Sequence, residues 1–131
     1  MSTDDYVARV ADPVNVMLLI VDDHDGFRSF ARVLFAGDGF EVAGDAADGE
    51  SALEAAQALH PDVVLLDVQL PGIDGFEVAR RLAASADAPA VVLTSSRQAS
   101  DFGRLLTEAP VRGFIPKQDL SAESLAAVLA G

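Results

Sequence analysis

Cysteine and tryptophan are both absent from this 131-residue chain, which carries two histidines and one tyrosine. Without cysteine there is no thiol nucleophile, no thiolate-bound zinc and no disulfide framework. His24 and His60 are too few for a histidine-based metal centre, so oxygen is the ligand type that remains. Long apolar runs are missing as well. None is longer than Val16 to Val21, far short of the ~20 residues of a membrane span. The opening MSTDDYVARVADP lacks the basic flank and apolar centre of a signal peptide, so a cytoplasmic location without membrane attachment is expected. Basic residues are few, 9 against 21 acidic, for a formal net charge of −12. Such a field opposes contact with nucleic-acid backbones and favours cations and basic protein surfaces.

What is present is a core. Half of the residues are hydrophobic and 23% are charged, in a chain of single-domain length. Residues 1–14 read as a flexible N-terminal leader and 15–131 as the folded domain. Val16 to Val21 is short and wholly apolar, as in a strand covered on both faces. Phe27, Phe30, Leu34 and Phe35 fall at helical spacing within Asp25 to Asp38, leaving Arg28 and Arg32 to face water. Further strands are expected at Phe40 to Gly44, Val63 to Leu66, Ala90 to Leu93 and Gly113 to Ile115. Helices are expected at Glu50 to Leu59, Gly75 to Ala84 with Asp74 as cap, Asp101 to Thr107 with a weakening Gly103, and Ser121 to Leu129. Five strands alternating with five helices predict an α/β fold, a (βα)5 doubly wound parallel sheet. In the flavodoxin-like order 2-1-3-4-5 the winding reverses between strands one and three, whose carboxyl ends then border a cleft.

Those two ends carry Asp22, Asp23 and Asp67. Carboxylates gathered at a dry sheet edge repel one another and need a counter-charge, which magnesium with its oxygen shell would supply. Thr94 ends the fourth strand and Lys117 follows the fifth, on the same edge. A metal, a hydroxyl and an ammonium facing a nucleophilic carboxylate suit a transferring phosphoryl group, with Asp67 forming the acyl phosphate. His24, beside the acidic pair, reads as a surface residue at a helix start. The glycines match neither GxGxxG nor GxxxxGK[ST], so no nucleotide site is expected.

Five segments in order, IVDDH at Ile20 to His24, VVLLD at Val63 to Asp67, LPGIDG at Leu70 to Gly75, LTS at Leu93 to Ser95 and GFIPK at Gly113 to Lys117, resemble the receiver domains of two-component response regulators. The resemblance spans residues 16 to 130. It implies that Asp67 accepts a phosphoryl group from a histidine kinase or phosphotransfer protein. It also implies that Asp23 ligates Mg2+ directly, that Asp22 acts largely through water and that the Gln69 carbonyl fills another position, with Mn2+ or Ca2+ as substitutes. Thr94 is similar to the switch hydroxyl, Phe114 to the aromatic that moves with it and Lys117 to the phosphoryl-pairing lysine. One residue of slippage would put Ser95 in the place of Thr94. The helix 4, strand 5 and helix 5 face, Asp101 to Gly131, would then contact a downstream protein target. Many receivers carry proline directly after the lysine; here Pro116 precedes it. The GFIPKQDLSAESLAAVL stretch resembles receivers that continue into an effector, so a stand-alone regulator and the front of a longer protein both stay open. Two other functions fit the same residues: a phosphorylation-independent scaffold, and a magnesium-dependent phosphohydrolase with an aspartyl-phosphate intermediate. The latter is disfavoured because residues 68–73 offer no general acid, so no enzyme activity beyond self-phosphorylation and autodephosphorylation is expected.

Overall fold

The computed structural model describes residues 15–131, and the expected leader lies outside them. Five strands, β1 (Val16–Val21), β2 (Phe40–Ala46), β3 (Val63–Asp67), β4 (Ala90–Ser95) and β5 (Gly113–Pro116), pair in parallel in the order β2-β1-β3-β4-β5. The helices are α1 (Asp25–Phe35), α2 (Gly49–Leu59), α3 (Gly75–Ala83), α4 (Arg104–Thr107) and α5 (Ala122–Ala130). The expected fold class is the one observed.

Alternation along each strand divides the core in two, because successive side chains of a strand point to opposite faces. Leu19, Val21, Val64, Leu66, Val91 and Leu93 pack with Ala52, Ala56, Phe76, Val78, Ala79 and Leu82 of α2 and α3. Leu18, Ile20, Val63, Leu65, Val92 and Ile115 pack on the other face with Ala31 and Phe35 of α1 and Leu125 of α5. Every residue of β3 is buried, which is why its sequence is apolar up to Asp67.

Element ends differ from expectation for local reasons. Helix α1 stops at Phe35, short of Asp38, since Ala36 is extended and Gly37 and Gly39 have φ of 85° and 89°. Strand β2 runs on to Ala46 because β1 pairs with it as far as Val21, with a register shift between Leu18 and Leu19 absorbing Ala43. The fourth helix is split. A 3-10 turn at Ala99–Asp101 is followed by the single turn of α4, with Gly103 between them at φ 54°, ψ −126°. That conformation breaks a helix and is open to glycine. Phe30, expected on the inner face of α1, is 55% exposed; Phe35 is buried as expected, and Ala31 is buried with it.

Candidate functional site

The chain leaves β1 for α1 on one face and β3 for α3 on the other, so the carboxyl ends of the two strands line the cleft between. Asp22 is fully buried there, its N–H bonded to the Ala46 carbonyl at 3.0 Å. Asp67, the last residue of β3, is 4% exposed. Lys117 crosses from the end of β5 and places Nζ 2.6 Å from Asp22 Oδ2 and 3.4 Å from Asp67 Oδ2. Asp23 is more open, and His24 Nδ1 stands 3.0 Å from its Oδ1 and 3.2 Å from Asp22 Oδ1. The N–H of His24 also donates to Asp22 Oδ1 at 2.9 Å. One ligand atom each from Asp22, Asp23, His24 and Asp67 lies within 4.8 Å of the others.

The charges perturb one another. Burial pushes the Asp22 carboxyl up, but Lys117 and the His24 N–H outweigh it and hold the group below its ordinary value. For Asp67, burial and then the Asp22 charge win over Lys117, raising its pKa to about 6. Burial pulls the Lys117 ammonium down, yet its two carboxylate neighbours leave it raised above a free lysine. The site is therefore a buried acid pair with a single lysine between its members, one carboxyl firmly ionised and the other reluctant.

Thr94 stands opposite Asp67 in the sheet register, fully buried, and its hydroxyl donates to the Ile115 carbonyl at 2.7 Å. Residues paired in register share a face, so Thr94 and Asp67 lie on the same side of the sheet and Ser95 on the other. Ser95 Oγ is taken up locally, accepting the Arg97 N–H at 3.0 Å. The Gln69 N–H donates to Asp67 Oδ1 at 3.2 Å, which orients the carboxylate at the mouth. Phe114 is half-buried on the opposite face and packs tilted against Phe102, with ring centroids 5.8 Å apart; Phe102 is itself 5.7 Å from Phe76. A side chain at Gly75 would collide with the Asp67 carbonyl oxygen, which explains the glycine that opens α3.

Two residues of the site were not expected from sequence. Arg28 does not face water: its side chain is 15% exposed and donates to the Asp22 carbonyl at 2.7 Å, pairing also with Asp25. Arg32 does stay half in solvent, on Asp45 at 3.1 Å. The structure pairs Ile20 with Asp45, which brings an acid from β2 within 3.8 Å of Arg28. The second is Phe27, whose ring centroid lies 4.4 Å from Lys117 Nζ.

The model for the response regulator receiver domain matches residues 18–129. The chain belongs to that family. Response regulator GacA of Pseudomonas viridiflava is 39% identical over 114 residues, 86% of this receiver and 53% of that protein. Protein-glutamate methylesterase/protein-glutamine glutaminase 6 of Anaeromyxobacter dehalogenans is 47% identical over 90 residues, 68% of this receiver and 26% of that protein. A two-component response regulator of the LuxR family from Aurantimonas superposes with a TM-score of 0.79 at 30% identity, over 88% of this receiver and 84% of that chain. The receiver thus spans about half or less of the length of these two curated relatives. Its acidic and histidine cluster, with Lys117 paired to Asp22 and Asp67, matches the phosphoacceptor and magnesium-binding site of receiver domains.

The donor set fits a hard divalent cation. Asp22 Oδ2 is buried with no well-aligned hydrogen bond among the described residues, facing the Lys117 ammonium as an ion pair. Three carboxylates against one ammonium leave surplus negative charge in the cleft, which an oxygen-bound divalent cation would balance. No helix among the described residues is long and apolar enough to cross a membrane.

Proposed function

We propose that this receiver takes a phosphoryl group on Asp67 from a phosphohistidine of a histidine kinase or phosphotransfer protein and passes the signal on through protein contacts in the cytoplasm. The observation that carries the proposal is the meeting of Asp22, Asp23 and Asp67 with Lys117 at the carboxyl ends of β1, β3 and β5. Asp22, Asp23, Asp67 and the Gln69 carbonyl would hold Mg2+, with Mn2+ or Ca2+ as substitutes. When bound, the cation neutralises charge on the carboxylates and on the transferring group. An Asp67 carboxylate oxygen forms the new bond to phosphorus while the bond from phosphorus to the donor nitrogen breaks, and the imidazole leaves with its electron pair and takes a proton. Lys117 pairs with one phosphoryl oxygen. Thr94 would give its hydroxyl to another on releasing the Ile115 carbonyl, and Phe114, the neighbour of Ile115 in β5, would move with it. The output face is α4, β5 and α5. Its weakest member is the one-turn α4, which gives the face two arrangements close enough in free energy for one phosphoryl group to choose between.

Intact mass after incubation with acetyl phosphate and magnesium tests the proposal. The expected result is a gain of one phosphoryl group, about 80 Da, that requires magnesium and is lost in Asp67→Ala. Magnesium binding without any adduct, under conditions that trap one in a working receiver, would overturn it in favour of a phosphorylation-independent scaffold.

A further inference from the structure

Lys117 is confined on two sides by carboxylates and on a third by an aromatic ring. Its Nζ lies 4.4 Å from the centroid of Phe27, in the first turn of α1, while Asp22 Oδ2 and Asp67 Oδ2 stand at 2.6 and 3.4 Å. Phe27 is half-buried and is backed by Phe30, whose ring centroid is 6.3 Å away. The lysine side chain is 20% exposed, so much of the water that would weaken its attraction to the ring is gone.

The ring does what neither an acid nor an aliphatic side chain could do in its place. A third carboxylate would compete with Asp67 for the ammonium and deepen the repulsion within the cleft. A leucine would fill the space but offer the ammonium no electrostatic attraction. An aromatic face attracts the cation without neutralising it and leaves its N–H groups for oxygen acceptors. The backbone is prepared for the same end: Pro116, with φ −58°, closes β5 immediately before the lysine.

We infer that Phe27 is a positioning residue for phosphoryl transfer, its ring face holding the Lys117 ammonium against the acidic cleft where it can meet an oxygen of a phosphoryl group on Asp67. The inference rests on the reading of Asp67 as phosphoacceptor. The test is the rate constant for phosphorylation by acetyl phosphate at saturating magnesium, followed by intact mass. It compares the wild type, Phe27→Leu, and chains in which Phe27 is replaced by phenylalanines of increasing ring fluorination. Phe27→Leu should slow the reaction by about threefold to thirtyfold. Fluorination, which keeps the shape of the ring but drains the negative potential of its face, should slow it stepwise. In a Lys117→Met background Phe27→Leu should have no further effect, since the partner through which the ring acts is gone. A wild-type rate across the fluorinated series, or a Phe27→Leu effect undiminished by Lys117→Met, would overturn the inference and leave Asp67 as the phosphoacceptor. A wild-type chain that takes no phosphoryl group would overturn the reading of Asp67 and the inference with it.

Discussion

A carboxyl at the end of a dry strand, beside a second buried carboxylate, keeps its proton longer than one in water, and Asp67 does so up to about 6. In the metal-free chain the folded state binds this proton more tightly than the unfolded state. The stability this contributes is full below the unfolded pKa of about 4 and is lost as pH rises from there through about 6. Asp67→Asn should therefore raise the stability of the chelator-treated protein at pH 7.5 by about 2–3 kcal/mol, with the gain shrinking toward zero near pH 4. Urea unfolding across pH checks this, and an Asp67→Asn chain no more stable than wild type at pH 7.5 would contradict the burial argument. Asp22 has the opposite sign, its lowered pKa giving stability that is lost as pH falls. At this scale sequence reading found the charged residues and missed their neighbours. Asp22, Asp23, Asp67 and Lys117 stand out because charge at the end of an apolar strand demands an explanation. Arg28 and Phe27 look like an ordinary exposed arginine and a core phenylalanine, since helical spacing does not say which residue a face meets across the cleft.

Strands and helices carry the site only if their junctions keep their shape. At the junction of β3 and α3 the backbone returns on itself, with the Gly75 N–H donating to the Val68 carbonyl at 2.8 Å. A Cβ at Gly75 would stand 2.8 Å from Val68 Cα besides meeting the Asp67 carbonyl, both of them backbone atoms that cannot yield cheaply. Gly75→Ala should cost about 1–3 kcal/mol by overpacking. It should also slow phosphorylation by about tenfold or more, because the displaced segment carries Asp67. Denaturant unfolding and mass-resolved phosphorylation, run on one preparation, check both. The strands were legible because buried parallel strands read as continuous apolar runs; β2, at the sheet edge and interrupted by Glu41, was read two residues short of Ala46. The fourth helix was less legible. Gly103 signalled weakness, and the break lies at that residue, in its φ of 54°.

Taken as a whole, the molecule keeps a cluster of like charges where its two windings meet, so cation binding and folding are linked. A ligand that binds only the folded state stabilises it in proportion to the logarithm of its excess, about 2.7 kcal/mol at one hundred times its dissociation constant. Magnesium should accordingly raise the unfolding temperature of the wild type, and Asp23→Ala should remove most of that rise while leaving the metal-free transition nearly unchanged, because Asp23 is partly exposed. Thermal unfolding with and without magnesium decides it; an equal rise in both proteins would place the bound cation elsewhere. By itself the sequence determined the alternation of elements, the doubly wound class and the charges at the carboxyl edge, since each follows from the period and position of residues along one chain. Only the tertiary structure decided which partners those charges meet: Asp22 below and Asp67 above its ordinary pKa, Thr94 on the Ile115 carbonyl, Lys117 against the ring of Phe27. The reason is physical. Burial, register and the direction of a side chain across a cleft arise from packing between elements distant in sequence, and local pattern carries no record of them.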